Sequence, residues 1–156
     1  MRRGAYATPA PEPLDLAAAH RQLIAATLPQ LGSGAVLSHA SAALLWGLPI
    51  WSDQLARVQV TRNRSGGGRL RRYVEVHGLP LVGAEVSSIG ELPVTSLART
   101  VLDLGCQLKL TRSVGIGDAA LRLGLDPEEL EELILRGVGR TGIGNARRAA
   151  KLLDRR

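Results

Sequence analysis

The chain has 156 residues, 45% of them hydrophobic and only 3% aromatic, and its formal net charge is +6. This length suits one domain with one well-filled core. With no Phe, that core must come from Leu, Val, Ile and Ala, a composition that favours closely packed helices. A single Cys106 excludes an internal disulfide and leaves no thiol pair for zinc, which points to a reducing, cytoplasmic setting without a metal site or cofactor. No run of about 18 apolar residues occurs, so no membrane helix is expected.

Residues 1–13 carry Pro9, Pro11 and Pro13 and little that can pack, and read as an extended linker. From Asp15, an N-cap, Leu16, Ala19, Leu23, Ile24 and Leu28 recur at helical spacing until Pro29. Ser38 is expected to cap a second helix that shows one apolar face (Leu37, Ala40, Leu44, Leu45, Leu48) and closes at Gly47. Alternating segments at 57–61 and 72–77 then predict a long β-hairpin whose tip, 62–71, is rich in Arg and Gly.

Val86–Ile89 and Leu92–Val94 read as short strands, with Pro93 confining the second to a sheet edge. Thr95 or Ser96 caps a third helix reaching Gly105, and Thr111 to Leu123 reads as a fourth. Asp126-Pro127-Glu128-Glu129 opens a fifth, which ends at Gly137, and Thr141 to Leu153 forms a basic last helix. The expected fold is α+β: a single, mostly helical domain over 14–156 with a small antiparallel sheet that includes the Arg-rich hairpin.

Ser38-His39-Ala40-Ser41 raises the question of a nucleophile beside its base. Side chains of adjacent residues on a helix or strand point in different directions, and no Gly-x-Ser-x-Gly elbow is present, so hydrolase chemistry is not expected. Ser38 and Ser41 read as local hydrogen-bonding groups at a helix start, and His39 as a partly buried, satisfied imidazole. Arg99 and Asp103 form an i,i+4 pair on one helix and read as a structural ion pair, although Asp103 could meet His39 in space.

Arg57, Arg62, Arg64, Arg69, Arg71 and Arg72 lie within one stretch that holds no acid, the footprint of a phosphate-binding surface; a solvated loop is the equal alternative. Arg147, Arg148 and Lys151 add a basic face on the last helix. Together these residues predict weak contact with DNA, made mostly to phosphates.

Three ordered stretches resemble the actinobacterial AbiEi-like antitoxin family: Val36-Leu37-Ser38-His39 through Trp46-Gly47-Leu48, Leu92-Pro93-Val94-Thr95-Ser96 through Asp103-Leu104, and Gly117-Asp118-Ala119-Ala120-Leu121-Arg122. The resemblance covers most of the chain. It implies a non-enzymatic antitoxin that represses its own promoter and counteracts a nucleotidyltransferase-like toxin. In that family a winged helix-turn-helix typically comes first, its last strand ending in a segment similar to Arg3-Gly4-Ala5-Tyr6, and in many relatives a very-short-patch-repair-like endonuclease domain follows a basic helix similar to 142–153. The chain is therefore expected to be the middle domain, lacking both neighbours. The alternative is a fragment of a nuclease-bearing, nucleic-acid-processing protein whose catalytic domain is absent here.

Overall fold

A computed structural model describes residues 15–64 and 66–154; the linker expected at 1–13 lies outside them. Helix α1 (Leu16–Thr27) and a 3-10 turn lead to a two-residue strand β1 (Val36–Leu37) and helix α2 (His39–Trp46). Strands β2 (Val58–Asn63), β3 (Arg69–Leu70), β4 (Val74–Leu79), β5 (Val86–Ile89) and β6 (Leu92–Thr95) follow. Helices α3 (Leu97–Gln107), α4 (Leu110–Arg122), α5 (Pro127–Arg136) and α6 (Ile143–Lys151) come last. No helix among the described residues is long and apolar enough to cross a membrane.

Caps written in the sequence form as expected at three helix starts. Asp15 accepts from the Ala18 amide at 3.0 Å, Ser96 from the Arg99 amide at 3.1 Å, and Asp126 from the Glu128 amide at 2.9 Å. Each satisfies a backbone donor that the helix cannot satisfy internally.

The α+β class is as expected, but the sheet is mixed rather than small and antiparallel: among the described residues it has six strands in the order β3-β4-β2-β1-β6-β5, with β1–β2, β3–β4 and β5–β6 antiparallel and β1–β6 and β2–β4 parallel. The expected long hairpin between 57–61 and 72–77 does not form, because β2 and β4 pair in parallel, Val58 opposite Val74 and Val60 opposite Val76. An alternating pattern fixes which face a strand buries but not its direction. Here the chain leaves the top of β2, passes over the end of β4, descends as β3 on the outer side, and turns at Arg72-Tyr73 into β4, which fills the gap between β2 and β3. Gly66 makes that crossing over Gly78, where a Cβ would lie 2.1 Å from the Gly66 carbonyl oxygen. The glycines expected at a hairpin tip therefore serve a close backbone approach.

Strand β6 is interior, not an edge. Pro93 is accommodated there because β1 is so short that it reaches only Val94, which pairs with Leu37.

Two apolar clusters result among the described residues. One lies on the sheet (Leu37, Ala42, Val58, Val60, Val76, Val94, with Ile24 of α1), the other among the helices (Ala43, Leu102, Leu104, Ile116, Leu133 and their neighbours). Helix α2 joins them: Ala42 packs into the first and Ala43 into the second, while Trp46 touches both. The single apolar face expected for α2 is thus replaced by burial all round, with residues 39–44 all buried.

The loop before α6 is pinned against α3. Gly142 has φ +85°, and a Cβ there would meet the Cys106 carbonyl oxygen at 2.0 Å. Gly142→Ala should therefore destabilise the fold by about 1–3 kcal/mol through overpacking alone, with backbone strain added. Gly83→Ala, where a Cβ meets nothing within 4 Å, should be near neutral. Thermal melts of the two variants check this; equal melting temperatures would contradict the close approach.

Candidate functional site

The sheet and the helical layer meet at His39. Backbone at Ser38 is extended (φ −144°, ψ 177°), and His39 then takes φ +52°, the one positive φ outside glycine among the described residues. That turn brings the Ser38 Oγ within 2.9 Å of His39 Nδ1, so adjacent Ser and His do meet, contrary to the expectation from regular helix or strand geometry. Regular geometry does not apply to a left-handed residue. Nor does Ser38 cap α2 with its side chain. Its Oγ instead accepts from Thr61 Oγ1 at 2.7 Å and shares its second hydrogen bond with His39 Nδ1. Ser41 also bonds at long range rather than locally: its Oγ accepts from the Gln59 amide at 2.8 Å and lies 2.8 Å from His20 Nε2.

His39 stacks on His77 of β4, with ring centroids 3.8 Å apart and planes 21° from parallel. Gln59 donates to Glu75 Oε1 at 3.3 Å, so its carbonyl oxygen receives the His77 Nε2 proton at 2.7 Å. Burial drives the His39 pKa down to about 3 against the pull of Asp103, and burial likewise lowers His77, against the pull of Glu75 and Asp103. Both rings are therefore neutral at physiological pH.

Behind the imidazoles lies a buried ion cluster. Arg99 donates from Nε to Asp103 Oδ1 at 2.8 Å, as the i,i+4 spacing predicts. Its Nη1 reaches Glu85 Oε2 at 2.7 Å and the Pro80 carbonyl at 2.8 Å. Arg140, from the loop between α5 and α6, brings a second cation to Asp103 Oδ1, also at 2.8 Å. Burial opposes the charge on Asp103, but His39, Arg99 and Arg140 outweigh it and hold the carboxyl below the usual carboxylate range; with His39 neutral, the arginines carry that effect. Asp103 Oδ2 is buried and has no hydrogen-bond partner among the described residues.

This cluster forms the floor of a cleft of about 880 Å³ between the sheet and the helices. Gly66–Gly68 and Gly78 line one side, Gly137, Gly139, Arg136 and Arg140 the other, with Leu79, Val82, Leu133 and Val138 as apolar wall. Cys106 also lines it, its thiol pKa raised by burial.

The arrangement does not support a serine nucleophile. Ser38 has no exposed surface, its hydroxyl is engaged on two sides, and an imidazole with a pKa of about 3 is a weak base. Among the described residues no group of three His, Cys, Asp or Glu side chains is placed to hold a metal ion.

The sequence-selected arginines divide into two kinds. Arg62 is spent on structure, its guanidinium donating to the carbonyls of Leu31 and Ser33. Arg57 donates to the Arg71 carbonyl at 2.9 Å and Arg64 to that of Gly67 at 2.6 Å. Arg69, Arg71 and Arg72 are exposed around the β3–β4 turn, and Arg72 lies 5.0 Å over the half-exposed Tyr73 ring. Arg147, Arg148 and Lys151 are exposed on α6, which packs on α3, α4 and α5 in the helical layer, so the two basic groups stand on separate elements. Sequence reasoning missed Glu85, His77 and Arg140, none of which carries a local signal; only Arg140 sits in a marked setting, between Gly139 and Gly142.

Two outcomes follow for the cluster. His39 has a folded pKa far below its ordinary 6.5, so the unfolded chain binds a proton that the folded chain refuses. Stability should fall as pH drops from about 6.5 towards 3, by up to about 1.4 kcal/mol per pH unit. His39→Asn, which tolerates the left-handed backbone, should flatten this loss in urea unfolding at pH 7, 5.5 and 4; an unchanged loss would contradict it. Asp103→Asn leaves Arg99 and Arg140 facing a neutral amide and should cost about 3–5 kcal/mol, measured the same way.

Compared with known protein families, curated proteins and solved structures, the chain matches none. Its function is therefore read from this arrangement.

Proposed function

We propose that the chain is a non-enzymatic, nucleic-acid-binding domain of the AbiEi-like antitoxin type, meeting phosphates through the outer edge of its sheet. The observation that carries this reading is the β3–β4 turn. Arg69, Arg71 and Arg72 are exposed there and form no ion pair with a carboxylate among the described residues, whereas Arg99, Arg112 and Arg140 all do. Tyr73 beside them offers a ring on which an unstacked base can lie. The inertness of the buried Ser38–His39 pair supports the non-enzymatic part. The resemblance adds a protein partner, a nucleotidyltransferase-like toxin, and a role in transcriptional regulation.

Charged residues on an edge strand also guard against edge-to-edge aggregation, and the salt dependence separates the two roles. Arginines on a short turn neutralise phosphates without a fixed base-reading geometry, so binding should be nearly sequence-independent and of order ~10⁻⁴ to 10⁻⁶ M at physiological salt. Changing Arg69, Arg71 and Arg72 together to Ala should reduce the log-log salt slope by about 0.9 for each duplex phosphate that is no longer neutralised. Fluorescence anisotropy of labelled duplex DNA across a salt series measures this. No binding at low salt, or a slope untouched by the triple substitution, would sink the reading and leave edge protection as the role.

A further inference from the structure

We infer that the cleft over Asp103 is a binding site for the phosphorylated end of a nucleotide, its phosphate held by Arg136 and Arg140 and its base lying against the apolar wall. The inference rests on the nucleic-acid reading for its ligand class, but on a different part of the molecule for its evidence. At about 880 Å³ the cleft exceeds what inorganic phosphate needs and falls within the range of small-ligand sites.

Its charge is cationic on balance. Glu85 and Asp103 are engaged by Arg99 and Arg140, while Arg136 is exposed on the cleft wall with no carboxylate partner among the described residues. Arg140 is only partly buried, with 18% of its side chain exposed, and of its donors Nη1 alone is committed to Asp103. Glycines face the cleft from both layers, so backbone amides can approach an anion without side chains in the way.

The independent sign is the orphaned Asp103 Oδ2. A buried carboxylate oxygen without a donor is costly, and this one belongs to a residue at the cleft floor. Arg140 holds the other oxygen, Oδ1, so its movement toward a bound phosphate would leave the Asp103 carboxylate open to an N–H donor of the base. Phosphate plus N–H donor on a ring is the chemistry of a nucleotide, whether free or at a nucleic-acid 5′ end.

Calorimetric titration of the full chain tests this with four probes: nucleoside 5′-monophosphates, inorganic phosphate, and a single-stranded oligonucleotide with and without a 5′-phosphate. Two variants accompany it. Arg136→Ala removes an exposed cation, and Val138→Trp adds bulk to an exposed position of the wall, so neither burdens the core. Saturable binding of monophosphates, weakened roughly tenfold or more by each variant, identifies a free nucleotide. The same weakening seen only with the 5′-phosphorylated oligonucleotide identifies a nucleic-acid end. Inorganic phosphate binding as tightly as either, no saturable binding, or binding indifferent to both variants overturns the site. The triple Arg69, Arg71 and Arg72 substitution should leave cleft binding intact, so failure of the edge and failure of the cleft remain distinguishable.

Discussion

A carboxylate with no exposed surface keeps its charge only if cations are brought to it, and Asp103 obtains two from different parts of the chain. Arg99 comes from one turn earlier on α3, and Arg140 from a loop that the chain reaches only after α4 and α5 are in place. Because Arg99 also holds Glu85 and the Pro80 carbonyl, the connection leading from β4 to β5 is tied to the same point. One buried charge thus fixes sheet edge, central helix and C-terminal helices relative to one another. Such a network is a weak source of net stability, since desolvation offsets most of the Coulomb attraction, but breaking any member strands the others. Its contribution is to uniqueness of arrangement.

The neutral imidazole pair complements this cluster. His39 and His77 bring polar rings to the join between the two apolar cores without adding charge, and their hydrogen bonds run outward through Ser38 and Thr61 on one side and Gln59 and Glu75 on the other. A polar seam of this kind specifies how sheet and helices dock, a task that interchangeable Leu, Val and Ala contacts perform poorly. The seam opens on a cleft with exposed cations on its wall, while the β3–β4 turn places a second set of cations on the outer edge of the same sheet.

What is legible in the sequence is local. Asp15, Ser96 and Asp126 announce helix starts because a cap needs nothing beyond the next three residues, and Arg99 with Asp103 reads correctly because four residues span one helical turn. Ser38 looks identical to these caps and is not one, because His39 turns left-handed and Thr61, 23 positions away, claims the hydroxyl. Strand direction escapes the sequence for a related reason: Val58, Val60, Val74 and Val76 alternate equally well in a parallel or an antiparallel pair. Glu85 and Arg140 are invisible there, since their meaning lies in a meeting with Arg99 and Asp103 that no spacing encodes.

The placement of β4 between β2 and β3 carries a consequence for how the chain reaches its native state. The β3–β4 turn closes between Arg71 and Val74, a contact that costs little loop entropy, whereas β2 meets β4 only at a sequence separation of 16, as Val58 does Val74. A strand inserted between two others cannot enter once those two have paired. Direct pairing of β2 with β3 would therefore exclude β4, and the short β3–β4 turn, the cheaper contact to close, works against it. Of the pairings in this part of the sheet, the parallel one between β2 and β4 is the non-local contact, and it is expected to form more slowly than the β3–β4 turn.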